Sequence, residues 1–172
     1  MDITDVILQQ HQEQRRGFAQ LDEVDRGDTR TLTALWSRLA VLLEGHARAE
    51  ELFFYPRLLD VGTGAADADD DSVAGETKDA ISDHNEIRDA VRKAAQEKPG
   101  SDGWWQAVIE ARIANGDHMA QEERQDLPDF RRHADLTVRH EIAVQFLAWE
   151  AEHAGGVAAQ DQDPDSWVRE HS

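Results

Sequence analysis

The 172-residue chain contains no cysteine. That excludes disulfides, thiolate zinc sites and iron–sulfur clusters held by its own thiols. Any bound metal must rest on histidine, carboxylate or tyrosine, and Tyr55 is the single tyrosine. Basic residues are also scarce: 18 Lys and Arg stand against 36 Asp and Glu, for a formal net charge of -18. Nucleic acids and anionic bilayers are held through clustered cations, so neither is an expected partner. No apolar run approaches the roughly 20 residues that a membrane-crossing helix needs. The start, Met1 to Asp5, has no basic stretch followed by an apolar core. A soluble, cytoplasmic protein is therefore expected, and the length suits one domain with a real core.

The few helix breakers divide the chain into long segments. Gly27 with Asp28, the stretch 62–72, Pro99 to Gly103, Pro128, and Gly155 with Gly156 read as boundaries. Helices are predicted over about 2–24, 29–60 and 73–98, then from Ser101 or Asp102 onward. Ile3, Ile7, His11, Phe18 and Leu21 form one stripe at helical spacing, and Leu39, Leu43, His46, Glu50 and Phe53 form another. Ile81, His84, Ile87 and Val91 line a third, and Trp104, Ala107, Ala111 and Ala114 lead to His118 and Glu122 on a fourth. Ile109 and Ile113 face elsewhere and call for a cover. The stripe Val138, Ile142, Phe146 and Trp149 of a fifth helix, about 129–153, is expected to supply it. The fold expected is all-α, an up-down-up-down four-helix bundle with an additional C-terminal helix packed outside. Residues 1–153 form one domain with its bundle core over 2–127, and 154–172 is a loosely held polar tail. Asp67, Asp69, Asp70 and Asp71 lack the glycine and glutamate of a calcium loop and read as a solvated linker.

Within those stripes the chain repeats itself. His11 and Arg15 are answered by His84 and Arg88 at an offset of 73, and His46, Glu50 and Glu51 by His118, Glu122 and Glu123 at 72. A histidine followed four residues later by glutamate places two metal donors on one helix face. Alone this is a weak signal, since about one such pair is expected by chance in a chain of this composition. The phase is more telling. Each of the four histidines interrupts an otherwise apolar stripe, one per helix. Four imidazoles and two carboxylates in one core would cost several kcal/mol per unpaired group without a cation. Imidazole and carboxylate together suit iron, with manganese or zinc as substitutes. A ferritin-like site needs two Glu-x-x-His pairs, and the chain offers Glu150 to His153 alone. His133, His140, His153 and His171 have no matching partners.

Arg15 and Arg88 read as surface or half-buried ion pairs with local acids. Glu51 and Glu123 are rotated off the donor face, where they can accept from an imidazole's other nitrogen. Tyr55 is a candidate ligand or hydrogen-bond partner of the cluster, although ideal helical geometry turns it roughly 140° from Glu50. Pro56 is placed to distort that turn.

In order and spacing these residues resemble the hemerythrin-like, HHE cation-binding family over roughly residues 2–127, and Phe53, Phe54, Tyr55 and Pro56 look like that family's continuation after its first His-x3-Glu. The resemblance implies a bundle holding two non-haem iron ions joined by an oxo, hydroxo or water bridge. Glu50 and Glu122 would bridge them, with His11 and His46 on one ion and His84 and His118 on the other. Oxygen-carrying members have a fifth histidine where this chain has Arg88. The likeness is therefore to a four-histidine, two-glutamate branch, and it implies binding or sensing of O2, NO or peroxide. Two alternatives stand beside that reading: a di-iron enzyme that decomposes peroxide, and an iron donor for damaged iron centres.

Overall fold

A computed structural model describes residues 1–64 and 72–172. Eight α-helices and one π-turn account for its regular structure among the described residues. They are α1 (Ile3–Asp22), α2 (Thr29–Ala49), the π-turn (Glu50–Phe54), α3 (Tyr55–Val61), α4 (Val73–Gln96), α5 (Asp102–Arg124), α6 (Asp126–His133), α7 (Leu136–Glu152) and α8 (Pro164–His171). The acidic stretch with Asp67, Asp69, Asp70 and Asp71 lies outside the described residues. Short polar side chains start most of the helices by accepting from orphan backbone N–H groups. Asp2 accepts from Thr4 N–H at 3.0 Å, Asp28 from Thr31 at 3.1 Å, Ser72 from Gly75 at 3.1 Å and Ser101 from Trp104 at 3.2 Å. Gly100, at φ +84°, makes the turn between α4 and α5, where the Arg26 carbonyl leaves no space for a Cβ.

The long helices run up, down, up and down between two apolar clusters. One contains Ile3, Ile7, Phe54, Leu58, Ile81, Phe130, Ile142, Phe146 and Trp167. The other contains Phe18, Leu21, Trp36, Leu39, Ile87, Trp104, Trp105 and Val108. Helices α1, α2 and α4 contribute to both ends, while α5 contributes to the second and is followed by α6, which supplies Leu127 and Phe130 to the first. Each of the four long helices carries its histidine at the level between the clusters. The bundle is thus apolar at either end and polar across its waist.

Three features differ from the sequence expectation. The second helix does not run unbroken to residue 60, because it widens into the π-turn at Glu50. The fifth helix is two, α6 and α7, separated where Ala134 turns extended and Asp135 caps the new start by accepting from Val138 N–H at 3.0 Å. Nor does α7 cover Ile109 and Ile113, which stay 42% and 59% exposed. It lies along α1, α2 and the π-turn instead, burying Ile142 and Phe146 in the first apolar cluster. Polar ties hold the chain on that side: Arg131 Nε donates to Thr4 Oγ1 at 2.9 Å, Arg139 pairs with Asp2 at 2.6 Å and Gln10 donates to Glu150 at 2.7 Å.

The C-terminal stretch expected to be loose ends in a packed helix. Trp167 and Val168 of α8 are buried in the first cluster, and α8 lies against α4. The Asn85 side chain grips the Gln162 backbone at both amide groups, at 2.7 and 3.1 Å, and Arg92 pairs with Asp161. A single indole in a polar stretch carries no periodicity, so the sequence pattern hides its burial. Trp167→Ala is expected to lower unfolding free energy by about 3 kcal/mol or more, read by denaturant titration. A loss below about 0.5 kcal/mol would return residues 154–172 to a loose tail.

Candidate metal centre

The waist of the bundle holds His11 from α1, His46 from α2, Glu50 from the π-turn, His84 from α4, and His118 and Glu122 from α5, each at most 2% exposed. All six residues singled out from the sequence therefore converge. They form two groups whose donor atoms lie within 4.8 Å of one another: His11, His46, Glu50 and Glu122 in one, and Glu50, His84 and His118 in the other. His11 Nε2 stands 3.1 Å from Glu122 Oε2, and His46 Nε2 stands 2.9 Å from Glu50 Oε1. On the other side, His84 Nε2 lies 3.3 Å from Glu50 Oε2 and 3.2 Å from His118 Nε2. Glu50 alone belongs to both groups.

The rings are oriented from behind by a repeated set of partners. His11 Nδ1 meets Glu123 at 2.8 Å, and His84 Nδ1 meets Glu51 at 3.1 Å. His46 Nδ1 meets Gln10 Oε1 at 2.6 Å, and His118 Nδ1 lies 3.6 Å from Asp83. Gln10 gives its amide N–H to Glu150, which leaves its carbonyl oxygen for His46. Each ring therefore turns Nδ1 to an acceptor and Nε2 to the common centre, an arrangement that fixes imidazoles for metal binding. Arg15 braces Glu123 at 2.8 Å and Arg88 braces Glu51 at 2.7 Å. The two braces differ in depth. Arg15 is partly exposed, whereas Arg88 is fully enclosed and also donates to Glu44 at 2.9 Å. The expected surface or half-buried ion pair thus holds for Arg15 but not for Arg88, because the second carboxylate, Glu44, supplies enough opposite charge to bury a guanidinium.

Gln10, Asp83 and Glu44 were not singled out from the sequence. Gln10 and Asp83 are 73 positions apart, the same offset as His11 and His84, so the repeat carried that signal. Asp126, one further turn beyond Glu122, is also buried here. Burial, and then the nearby Glu122 carboxylate, push its carboxyl well above the usual range.

Tyr55 enters the waist through the π-turn. Its backbone N–H donates to the Glu50 carbonyl five residues back, so Tyr55 sits over Glu50 rather than a third of a turn away. Pro56 has no N–H to give the Leu52 carbonyl, which removes one α-helical bond at this place. The fully buried phenol donates to Glu122 Oε1 at 3.0 Å. Burial and the carboxylates of Glu122 and Glu50 hold its pKa well above the usual tyrosine range. It is a proton-bearing donor.

Electrostatics at the waist call for positive charge. Glu50 Oε1 and Oε2, Glu122 Oε2, His11 Nε2 and His46 Nε2 are buried without a hydrogen-bond partner among the described residues, a costly state for polar atoms in a dry core. Close approach without hydrogen-bond alignment is what a set of lone pairs aimed at a common cation gives. Without a metal, protons supply part of that charge. Burial pushes the His46 ring down, but the Glu50 carboxylate outweighs it and leaves the ring above its ordinary range. Burial acts likewise on His118, where Asp83 and Glu50 raise the ring well above it. Burial would raise Glu50, yet His46, His118 and His84 hold it well below the ordinary carboxylate range.

A bundle with a buried histidine and glutamate waist defines a class of cation-binding helical protein. The hemerythrin HHE cation binding domain matches residues 2–130, most of the chain, and the protein belongs to that family. No curated protein and no solved structure matches it. No helix among the described residues is long and apolar enough to cross a membrane.

The titrations predict opposite pH trends for the metal-free and metal-loaded protein. Stability from the raised His46 and His118 is complete below the ordinary histidine range and lost as pH rises through their raised values. Stability from Glu50 is present above the ordinary glutamate range and lost as pH falls through its depressed value. A metal needs both rings unprotonated, so its affinity grows over the window in which the metal-free protein weakens. Melting temperature against pH, with and without metal, is expected to give curves that diverge above the ordinary histidine range. Parallel curves would contradict the protonation scheme.

Proposed function

We propose that the protein is a non-haem di-iron protein of the hemerythrin-like class that binds or senses O2, NO or peroxide at a carboxylate-bridged dinuclear centre. The observation that carries this reading is the set of buried nitrogen and oxygen lone pairs around one centre, each ring held from behind. His11, His46 and Glu122 would hold one ion, His84 and His118 the other, and Glu50 would join them. Bound there, iron would supply reversible electron transfer and open positions for a small ligand.

The chain's own residues do the rest. The apolar clusters on either side keep bulk water from the waist, which strengthens each electrostatic contact within it. Glu51, Glu123, Gln10 and Asp83 fix the rings. Tyr55 offers a phenolic proton beside the centre. The net charge of -18 and the enclosed site favour a small ligand over a nucleic acid, and the cytoplasm is the compartment proposed.

Glu50→Ala is the direct test, because Glu50 alone belongs to both groups. Iron content and melting temperature are expected to fall together, while the parent protein binds two ions per chain. Unchanged iron content in the variant would overturn the reading. On the loaded parent protein, a spectral change on adding O2 or NO supports binding or sensing. Steady oxygen release from added peroxide would assign the enzyme alternative instead.

A further inference from the structure

We propose that the groove between α1, α2 and α7 binds a small organic ammonium ion with an apolar tail, and that the bound cation acts on the waist through Glu150, Gln10 and His46. A cavity of about 520 Å3 lies there, a size that suits a small molecule. Its walls are apolar where Val6 of α1, Val41 and Leu42 of α2, and Leu147 and Trp149 of α7 face it. Gly45 lines it as well. That glycine lies inside α2, where its residue type weakens a helix, yet a Cβ added there would meet no atom within 4 Å. No neighbour within the chain calls for the missing side chain, and the space it leaves belongs to the groove.

The charge of the ligand follows from the acids. Glu13 and Glu150 both line the groove, and neither has an ion-pair partner among the described residues. Glu150 accepts from Gln10 with Oε2 at 2.7 Å, which leaves Oε1 for a ligand. Burial raises the Glu150 carboxyl above the ordinary range, Gln10 and His46 offset part of the rise, and the carboxylates of Glu50 and Glu13 add to it. An ammonium ion in the groove would relieve that repulsion. The groove's basic residues, Arg38 and His153, are exposed and pair with neither acid. A bare metal ion fits less well, because the cavity is far larger than an ion and Glu13 and Glu150 belong to no group able to hold one among the described residues. The link to the waist is short. Gln10, held by Glu150, meets His46 Nδ1 at 2.6 Å, and His46 Nε2 stands 2.9 Å from Glu50. Drawing the Glu150 carboxylate toward a ligand loosens its hold on the Gln10 amide, and with it the bond that orients the His46 ring. The site stands without the two-ion reading above, and only its effect on bound metal rests on that reading.

Calorimetric titration of the metal-free protein with phenethylamine tests this. One saturable site per chain is expected, with affinity about tenfold or more above that for phenethyl alcohol, and no binding of the anion hydrocinnamate. Glu150→Gln keeps an acceptor for Gln10 but removes the charge, and Gly45→Leu fills the open space. Each is expected to weaken phenethylamine by about tenfold or more. In the parent protein the ring signals of His46 should shift on saturation, while those of His118, which Asp83 holds, stay in place. No binding, equal affinity for the alcohol, or unchanged affinity in either variant would overturn the site. Binding that leaves the His46 signals unmoved would overturn the link to the waist. None of these outcomes bears on the di-iron reading, because no iron is present.

Discussion

The fold depends on how six polar side chains are accommodated in a layer that excludes water. Four imidazoles and two carboxylates at the waist are too close together and too dry to remain without compensating positive charge. Protons on His46 and His118 supply it in part, and cations would supply it more completely. The apolar clusters at either end are what make this constraint severe. If the waist were open, water would satisfy the same atoms, and nothing would favour a metal.

Around that layer the two halves of the chain repeat each other's support. His11, Glu123 and Arg15 have their counterpart in His84, Glu51 and Arg88, and Gln10 behind His46 corresponds to Asp83 behind His118. Each half lends its extra glutamate to a histidine of the other. The pairing therefore couples the halves across the bundle as well as orienting rings. The repeat is broken in two places, by the depth at which Arg88 is buried with Glu44 and by Tyr55 on Glu122. The first break acts on His84 through Glu51 and the second on Glu122, so the two halves of the waist differ through the protein's own side chains.

Much of this was legible in the sequence because its signals are periodic. Residues at helical spacing marked the four long helices, and histidines interrupting apolar stripes marked the waist, since those positions point inward whatever occupies them. The π-turn was only half visible: Pro56 signalled a disturbance, but the added residue that brings Tyr55 over Glu50 depends on the packing of Phe54 and the phenol's bond to Glu122. The cover for Ile109 and Ile113 was misplaced because an apolar stripe on α7 states what it needs and not which face will meet it. That choice was made by Arg131 on Thr4 and Arg139 on Asp2, contacts more than a hundred residues apart. Trp167 escaped notice for a related reason, as a single residue carries no period. Arg88 was read by its usual preference for the surface, which Glu44 overrides.

X-ray absorption at the iron edge of the loaded protein tests the central claim most directly. Inward imidazoles sharing a carboxylate predict an iron shell with nitrogen and oxygen neighbours, the outer-ring scattering of about two histidines per iron and a second iron within bridging distance. Iron surrounded by oxygen alone, without imidazole scattering or a neighbouring iron, would mean that the metal sits on the acidic surface, and would contradict the account.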